Sequence, residues 1–77
     1  MIYEANTRRW APGDVVIHDM DAKRAAMLTV VVGYTRSGDV RTVYREPALR
    51  AQWRGRPIVN RLAVLHDPAR FGIAVEG

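Results

Sequence analysis

The stretch Pro12-Gly13-Asp14-Val15-Val16-Ile17-His18 decides how this chain is read. Pro-Gly is a turn dipeptide, and Asp14 to His18 follows it as an apolar run whose side chains alternate across both faces of a strand. A turn feeding straight into such a run is how many small barrels begin. Upstream, residues 1–11 show no clean hydrophobic period and predict an N-terminal arm or short strand, with Trp10 packing back on the body. Downstream, Asp19-Met20-Asp21-Ala22-Lys23-Arg24 is polar and reads as an exposed loop.

Ala26 to Thr35 holds the strongest β signal, Thr29-Val30-Val31-Val32, whose β-branched side chains are stiff at χ1 and favour a pleated surface. This is the expected central strand. Gly33 inside it predicts a bulge or sharp bend of the kind that curls a strand. Arg36-Ser37-Gly38-Asp39 supplies a hairpin turn, and Val40 to Arg45 returns with Val40, Thr42 and Tyr44 on one face and Arg41, Val43 and Arg45 on the other. Pro47 suits a first helical position, Gly55 the residue past a helix end and Pro57 a stop, so residues 47–54 predict about two helical turns. Ile58 to Leu65 reads as one strand or two very short ones. Asp67-Pro68 forces a break, after which Phe71 and Ile73 form a last short strand or a tail on the core. The expected fold is all-β, a small barrel of about five short strands with one short helix or helical turn between the third and fourth.

The chain has 77 residues, 48% hydrophobic and 26% charged, which is ordinary for a globular domain and too apolar for a disordered one. One domain over 1–77 is expected, and a chain this short buries only about 60–65% of its unfolded surface, which argues against a deep catalytic cleft. No apolar stretch is long enough to cross a bilayer, and residues 1–10 lack the pattern of a signal peptide. With no cysteine, disulfides and thiolate zinc sites are excluded, which suits a reducing cytoplasm and leaves packing or self-association to hold the domain.

The net charge of +4 is unevenly placed. Between residues 36 and 61 stand Arg36, Arg41, Arg45, Arg50, Arg54, Arg56 and Arg61 against Asp39 and Glu46, a local excess of five. Scattered arginines are ordinarily a solvated surface. Here, however, Arg50 and Arg54 are four apart, as are Leu49 and Trp53, so one helical turn would carry arginine beside an apolar anchor. If these side chains share a face, that face attracts phosphate backbones or acidic protein surfaces.

Taken in order, the Pro-Gly-Asp-Val-Val-Ile-His opening, the valine strand and hairpin over 27–45 and the closing Leu62-Ala63-Val64-Leu65 resemble the SH3/Tudor-like small barrels. The opening is similar to the Gly-Asp-x-Val-x-His of bacterial Tudor-like domains in the transcription-repair coupling factor, the CarD-type regulators and the C-terminal end of UvrD-type helicases. It differs in that Asp19 to Ala26 carries no glycine where those families place a Gly-x-Gly turn. Those domains mostly dock on RNA polymerase, and the related KOW-type barrels bind RNA or ribosomal components. The resemblance therefore implies a binding role in nucleic-acid machinery.

Chemistry finds little purchase. The pairs His18-Asp19 and His66-Asp67 contain metal-ligand and acid-base residue types, but adjacent strand residues point to opposite faces, and hydrogen bonding at a strand end accounts for them better. No serine or threonine sits in a nucleophile-elbow context, and the glycines form no phosphate-cradling loop. No catalytic residue, metal or cofactor is expected. Tyr34, Tyr44 and Trp53 interleave with the arginines as base-stacking residues do, although a domain without disulfides needs its large rings inside. The expectation is a non-enzymatic module that binds nucleic acid through Arg36, Arg41, Arg45, Arg50, Trp53, Arg54, Arg56 and Arg61. The alternative is a small phage- or mobile-element-type protein that sets the same face on an acidic partner such as a host nucleic-acid enzyme. Self-association through exposed strand edges is a third class.

Overall fold

The computed structural model describes residues 9–22 and 24–75, so most of the predicted N-terminal arm, residues 1–8, lies outside the described residues. Strands β1 (Val15–His18), β2 (Thr29–Tyr34), β3 (Val40–Tyr44), β4 (Ile58–Asn60) and β5 (Leu65–His66) form one antiparallel sheet in the order β4-β3-β2-β1-β5. The valine strand is central, as its composition predicts. β1 pairs its first residues, Val15 and Val16, with β2 and its last two, Ile17 and His18, with β5. A strand of four residues is thus shared between two partners, one half to each side.

Helix α1 (Pro47–Gln52) stands between β3 and β4, with Pro47 in its first turn as expected. Its end differs from the sequence reading. Trp53 is the C-cap, and the following residue, Arg54, takes a left-handed conformation at φ 55°. The Gly55 amide donates to Arg50 O at 2.9 Å and the Arg54 amide to Ala51 O at 2.9 Å, the paired bonds of a Schellman motif. Arginine thus fills the position glycine normally takes, and Gly55, at φ 69°, comes one residue later.

The predicted loop Asp19 to Arg24 contains a 3-10 turn, Asp19–Asp21, and a second turn, Ala25–Met27, takes Ala26 and Met27, which the sequence reading joins to the central strand. The His18 imidazole caps the first of them by accepting the Met20 amide at Nδ1, 3.0 Å away. Ile58 to Leu65 resolves into β4 and β5 separated by the 3-10 turn Leu62–Val64, and the tail after Pro68 is a 3-10 turn, Pro68–Phe71, rather than a strand. The Asp67 carboxylate caps that last turn by accepting the Ala69 amide at 3.0 Å.

The predicted bulge has a consequence for packing. Register passes from Val31↔Thr42 to Gly33↔Arg41 and Tyr34↔Val40, so Val32 and Gly33 together oppose Arg41. Strict alternation would send Tyr34 to the same face as Val30 and Val32. The extra residue instead returns it to the face of Val31 and Val40. There its hydroxyl accepts the Trp10 amide at 2.6 Å and donates to Trp10 O at 2.9 Å. That clasp holds Trp10 in the inner core with Val16, Val31, Val40 and Leu65, against which Tyr34, Leu62 and Val64 pack.

The outer face of the sheet is covered unevenly. At the β1–β5 end, Ile17 pairs with His66, and continuing the β1–β2 register one step sets Leu28 beside Ile17. These three are buried, at 0% exposure for Ile17, 3% for His66 and 6% for Leu28. The turn Pro68–Phe71 lies over them: Pro68 is buried, and the Phe71 ring meets His66 edge-on at 5.5 Å. Toward β3 and β4 the cover gives out. Val15, Val30 and Val43 are half-buried, while Val32 and Val59 are 44% and 53% exposed.

Candidate nucleic-acid interface

β3 is the element that distributes the arginines. Arg41, the second residue of the strand, is exposed and lies opposite Val59 of β4. Arg45 follows its last residue, and its amide continues the ladder by donating to Leu28 O at 3.1 Å. Its half-buried side chain lines a shallow depression with Ala26, Leu28 and Glu46. Arg36 lies in the β2–β3 turn, beyond the other end of the strand. Because β4 runs antiparallel with Asn60 opposite Val40, Arg61 is brought to that same end. A strand of five residues at ~3.3 Å each separates Arg36 and Arg61 from the helix by roughly 17 Å. The exposed arginines therefore form two groups rather than one cluster, with Arg41 belonging to that of Arg36 and Arg61.

The denser group belongs to α1 and the segment after it. Arg50, Trp53, Arg54 and Arg56 are all exposed. Residues 47–66 contain no aspartate or glutamate, and among the described residues no carboxylate forms an ion pair with Arg54 or Arg56. Arg50 also has a structural role, because its Nε donates to Tyr44 O at 3.0 Å and ties the helix to the end of β3. The Trp53 ring, 44% exposed, leans on Tyr44 with centroids 6.2 Å apart and planes at 49°. The expectation that Tyr44 and Trp53 are both core does not hold: Trp53 is exposed, Tyr44 is half-buried, and neither joins the buried cluster.

Tyr44 also forms a wall of a cleft of about 280 Å³ that opens between the 3-10 turn Asp19–Asp21 and the strands. Sequence reasoning missed this cleft. Its other lining residues include His18, Asp21, Met27, Thr29 and Asn60, drawn from five different elements or loops, and no local spacing announces such a convergence. Burial, and then the nearby Asp21 carboxylate, push the Tyr44 phenol above its ordinary pKa and keep it protonated at neutral pH.

The two histidines are accounted for by hydrogen bonds. His18 Nδ1 accepts from Met20 N and also lies 3.1 Å from Asp19 Oδ1. One ring nitrogen cannot accept the amide and donate to the carboxylate at once, so the capped turn corresponds to an unprotonated Nδ1. His66 Nδ1 lies 3.1 Å from Arg70 Nη1, which can only donate, so this nitrogen accepts and the ring is neutral. Desolvation first, and then the Arg70 charge, lower the His66 pKa. Among the described residues, no three His, Cys, Asp or Glu side chains gather into a metal-binding group, and no helix is long and apolar enough to cross a membrane.

Comparison with protein-family models, curated proteins and solved structures finds no match to this chain.

Proposed function

We propose that this protein is a non-enzymatic binding module that holds nucleic acid against the segment from Arg50 to Arg56. The observation that carries the reading is the joint exposure of Arg50, Trp53, Arg54 and Arg56 within an acid-free stretch. Guanidinium groups pair with phosphate oxygens, and each contact releases condensed counterions into solution. Trp53 adds an aromatic surface on which a base or sugar can lie. Arg41, on the outward face of the sheet, belongs with Arg36 and Arg61 to a second, more distant group. The resemblance of the opening segment to small barrels of nucleic-acid machinery agrees with this role.

The test is fluorescence anisotropy with labelled DNA and RNA oligonucleotides across a salt series. Three phosphate contacts give a log–log slope of about −2 to −3, and the double variant Arg54→Glu/Arg56→Glu lowers low-salt affinity by at least about ten-fold. Absence of salt-sensitive binding at low ionic strength overturns the proposal.

A second reading is favoured by a separate observation. Val59 is an exposed apolar group paired with Arg41, and the exposed Trp53 precedes Arg54, a mixture of apolar and cationic groups of the kind found where proteins dock. An acidic protein partner would exploit both properties, and its stoichiometric co-purification, lost on Trp53→Ala, would favour that reading over the first.

A further inference from the structure

We infer that the cleft beside Tyr44 receives one unstacked nucleobase from a single strand whose phosphates lie along Arg50 to Arg56. This rests on the nucleic-acid reading above and gives it a substrate class. Three features of the site lead there.

Position comes first. Tyr44 belongs to both surfaces: its ring lines the cleft and touches Trp53 at 6.2 Å, and its carbonyl accepts Arg50 Nε at 3.0 Å. The arginine segment and the cleft are therefore neighbours joined through Tyr44.

The second feature is the separation of charge. Every arginine of the segment is outside the cleft, and the lining holds no arginine or lysine but does include the Asp21 carboxylate. An anion is repelled there. A neutral heterocycle is not, so phosphate outside and base inside is the arrangement that satisfies both regions.

The third is hydrogen-bonding capacity at the right scale. A volume of about 280 Å³ falls just below the ~300–1,000 Å³ of sites for drug-sized ligands and suits a one- or two-ring base. Thr29 Oγ1 is occupied, donating to Val16 O at 3.4 Å. Asn60 offers an amide that can both donate and accept, Asp21 accepts from an amino or imide N–H, and the protonated Tyr44 phenol donates. Base edges within a duplex are stacked and paired, so only a single strand or a flipped nucleotide can present one to this site.

The experiment measures binding of the intact protein to a labelled single strand of about twelve nucleotides, a duplex of the same length, and the single strand with abasic sites throughout its centre. The expected result is about ten-fold tighter binding of the intact single strand than of either control. Asn60→Ala and, separately, Asp21→Asn remove that preference while the salt slope is unchanged. Because Asn60 is half-buried in a strand, the thermal midpoint of each variant is recorded, and the Asp21→Asn result, from a residue in a 3-10 turn, decides if Asn60→Ala fails to fold. Equal binding of all three ligands, with affinity still lost in Arg54→Glu/Arg56→Glu, overturns the base-binding cleft and leaves the nucleic-acid reading standing. No binding of any oligonucleotide overturns both. Binding of an arginine-rich peptide that Asp21→Asn abolishes, without oligonucleotide binding, overturns both as well and assigns the cleft to a cationic protein partner.

Discussion

Arginine plays different roles at the two ends of this sheet. At the β1–β5 end, Arg70 reaches a buried acceptor, His66 Nδ1, and the turn that carries it covers Ile17, His66 and Leu28. At the β3–α1–β4 end, Arg54 and Arg56 project from a left-handed turn into solvent, beside a half-exposed Trp53. The residue type is the same at both ends. The difference lies in whether the fold supplies a desolvated partner within reach, and this decides which guanidinium is structural and which is available to a ligand.

Cavity-forming substitution is expected to expose that contrast most strongly. Ile17→Ala removes a fully buried side chain from under the Pro68–Phe71 turn and should destabilise the domain by about 2–5 kcal/mol. Trp53→Ala, although it removes a larger group, should cost under about 1 kcal/mol because much of that ring is already in water. Urea unfolding of the two variants measures the comparison. Equal losses would mean that α1 is as much a part of the core as β1 is.

A change of pH should act on one end only. The folded-state pKa of His66 is depressed, so on acidification the unfolded chain takes up a proton there before the folded one does. The stabilisation from the neutral ring is complete above the ordinary histidine pKa of about 6.5 and is lost as pH falls below it toward the depressed value. Chemical denaturation from pH 7.5 down to 5 should show this decline. His66→Ala should cost about 2 kcal/mol at pH 7 through lost packing on Phe71 and should flatten that part of the profile. An undiminished decline in His66→Ala would show that the His66 ring is not its source.

The contrast also explains what could be read from the sequence. Strands leave a two-residue period and turns leave Pro, Gly and Asp, so β1, the central β2, the hairpin and α1 were legible from residues close together in the chain. The bulge at Gly33 was legible too, but its effect on Tyr34 was not, because the partner that defines it, Trp10, is 24 residues away. The arginines were visible as a group in the sequence, but their division was not. It follows from the β3–β4 register, which sets Arg61 at the opposite end of β3 from α1. The cleft left no local trace at all, since its walls come from all five strands and the turns after β1.

Within the inner face, Thr42 tests whether the region around the cleft sacrifices stability. Its buried hydroxyl lacks a partner, and Thr42→Val is nearly isosteric. Removing an unsatisfied polar group should raise stability by about 1 kcal/mol. Calorimetry or urea unfolding reads this directly. A loss instead would show that the hydroxyl is satisfied in solution, with water filling the cleft as the simplest source.

The smallest effect is the one that joins stability to binding. A non-glycine residue in the left-handed region is disfavoured, and Arg54 occupies the Schellman position where glycine is the usual residue. Arg54→Gly should therefore stabilise the fold by a few tenths to about 1 kcal/mol while removing one phosphate contact, which lowers oligonucleotide affinity and makes the salt dependence shallower by slightly less than one unit. Opposite signs in the two measurements would mark Arg54 as a residue kept for its ligand at the expense of its turn. If stability rises with affinity unchanged, the interface excludes Arg54, and the binding surface moves toward Arg41 on the open face of the sheet.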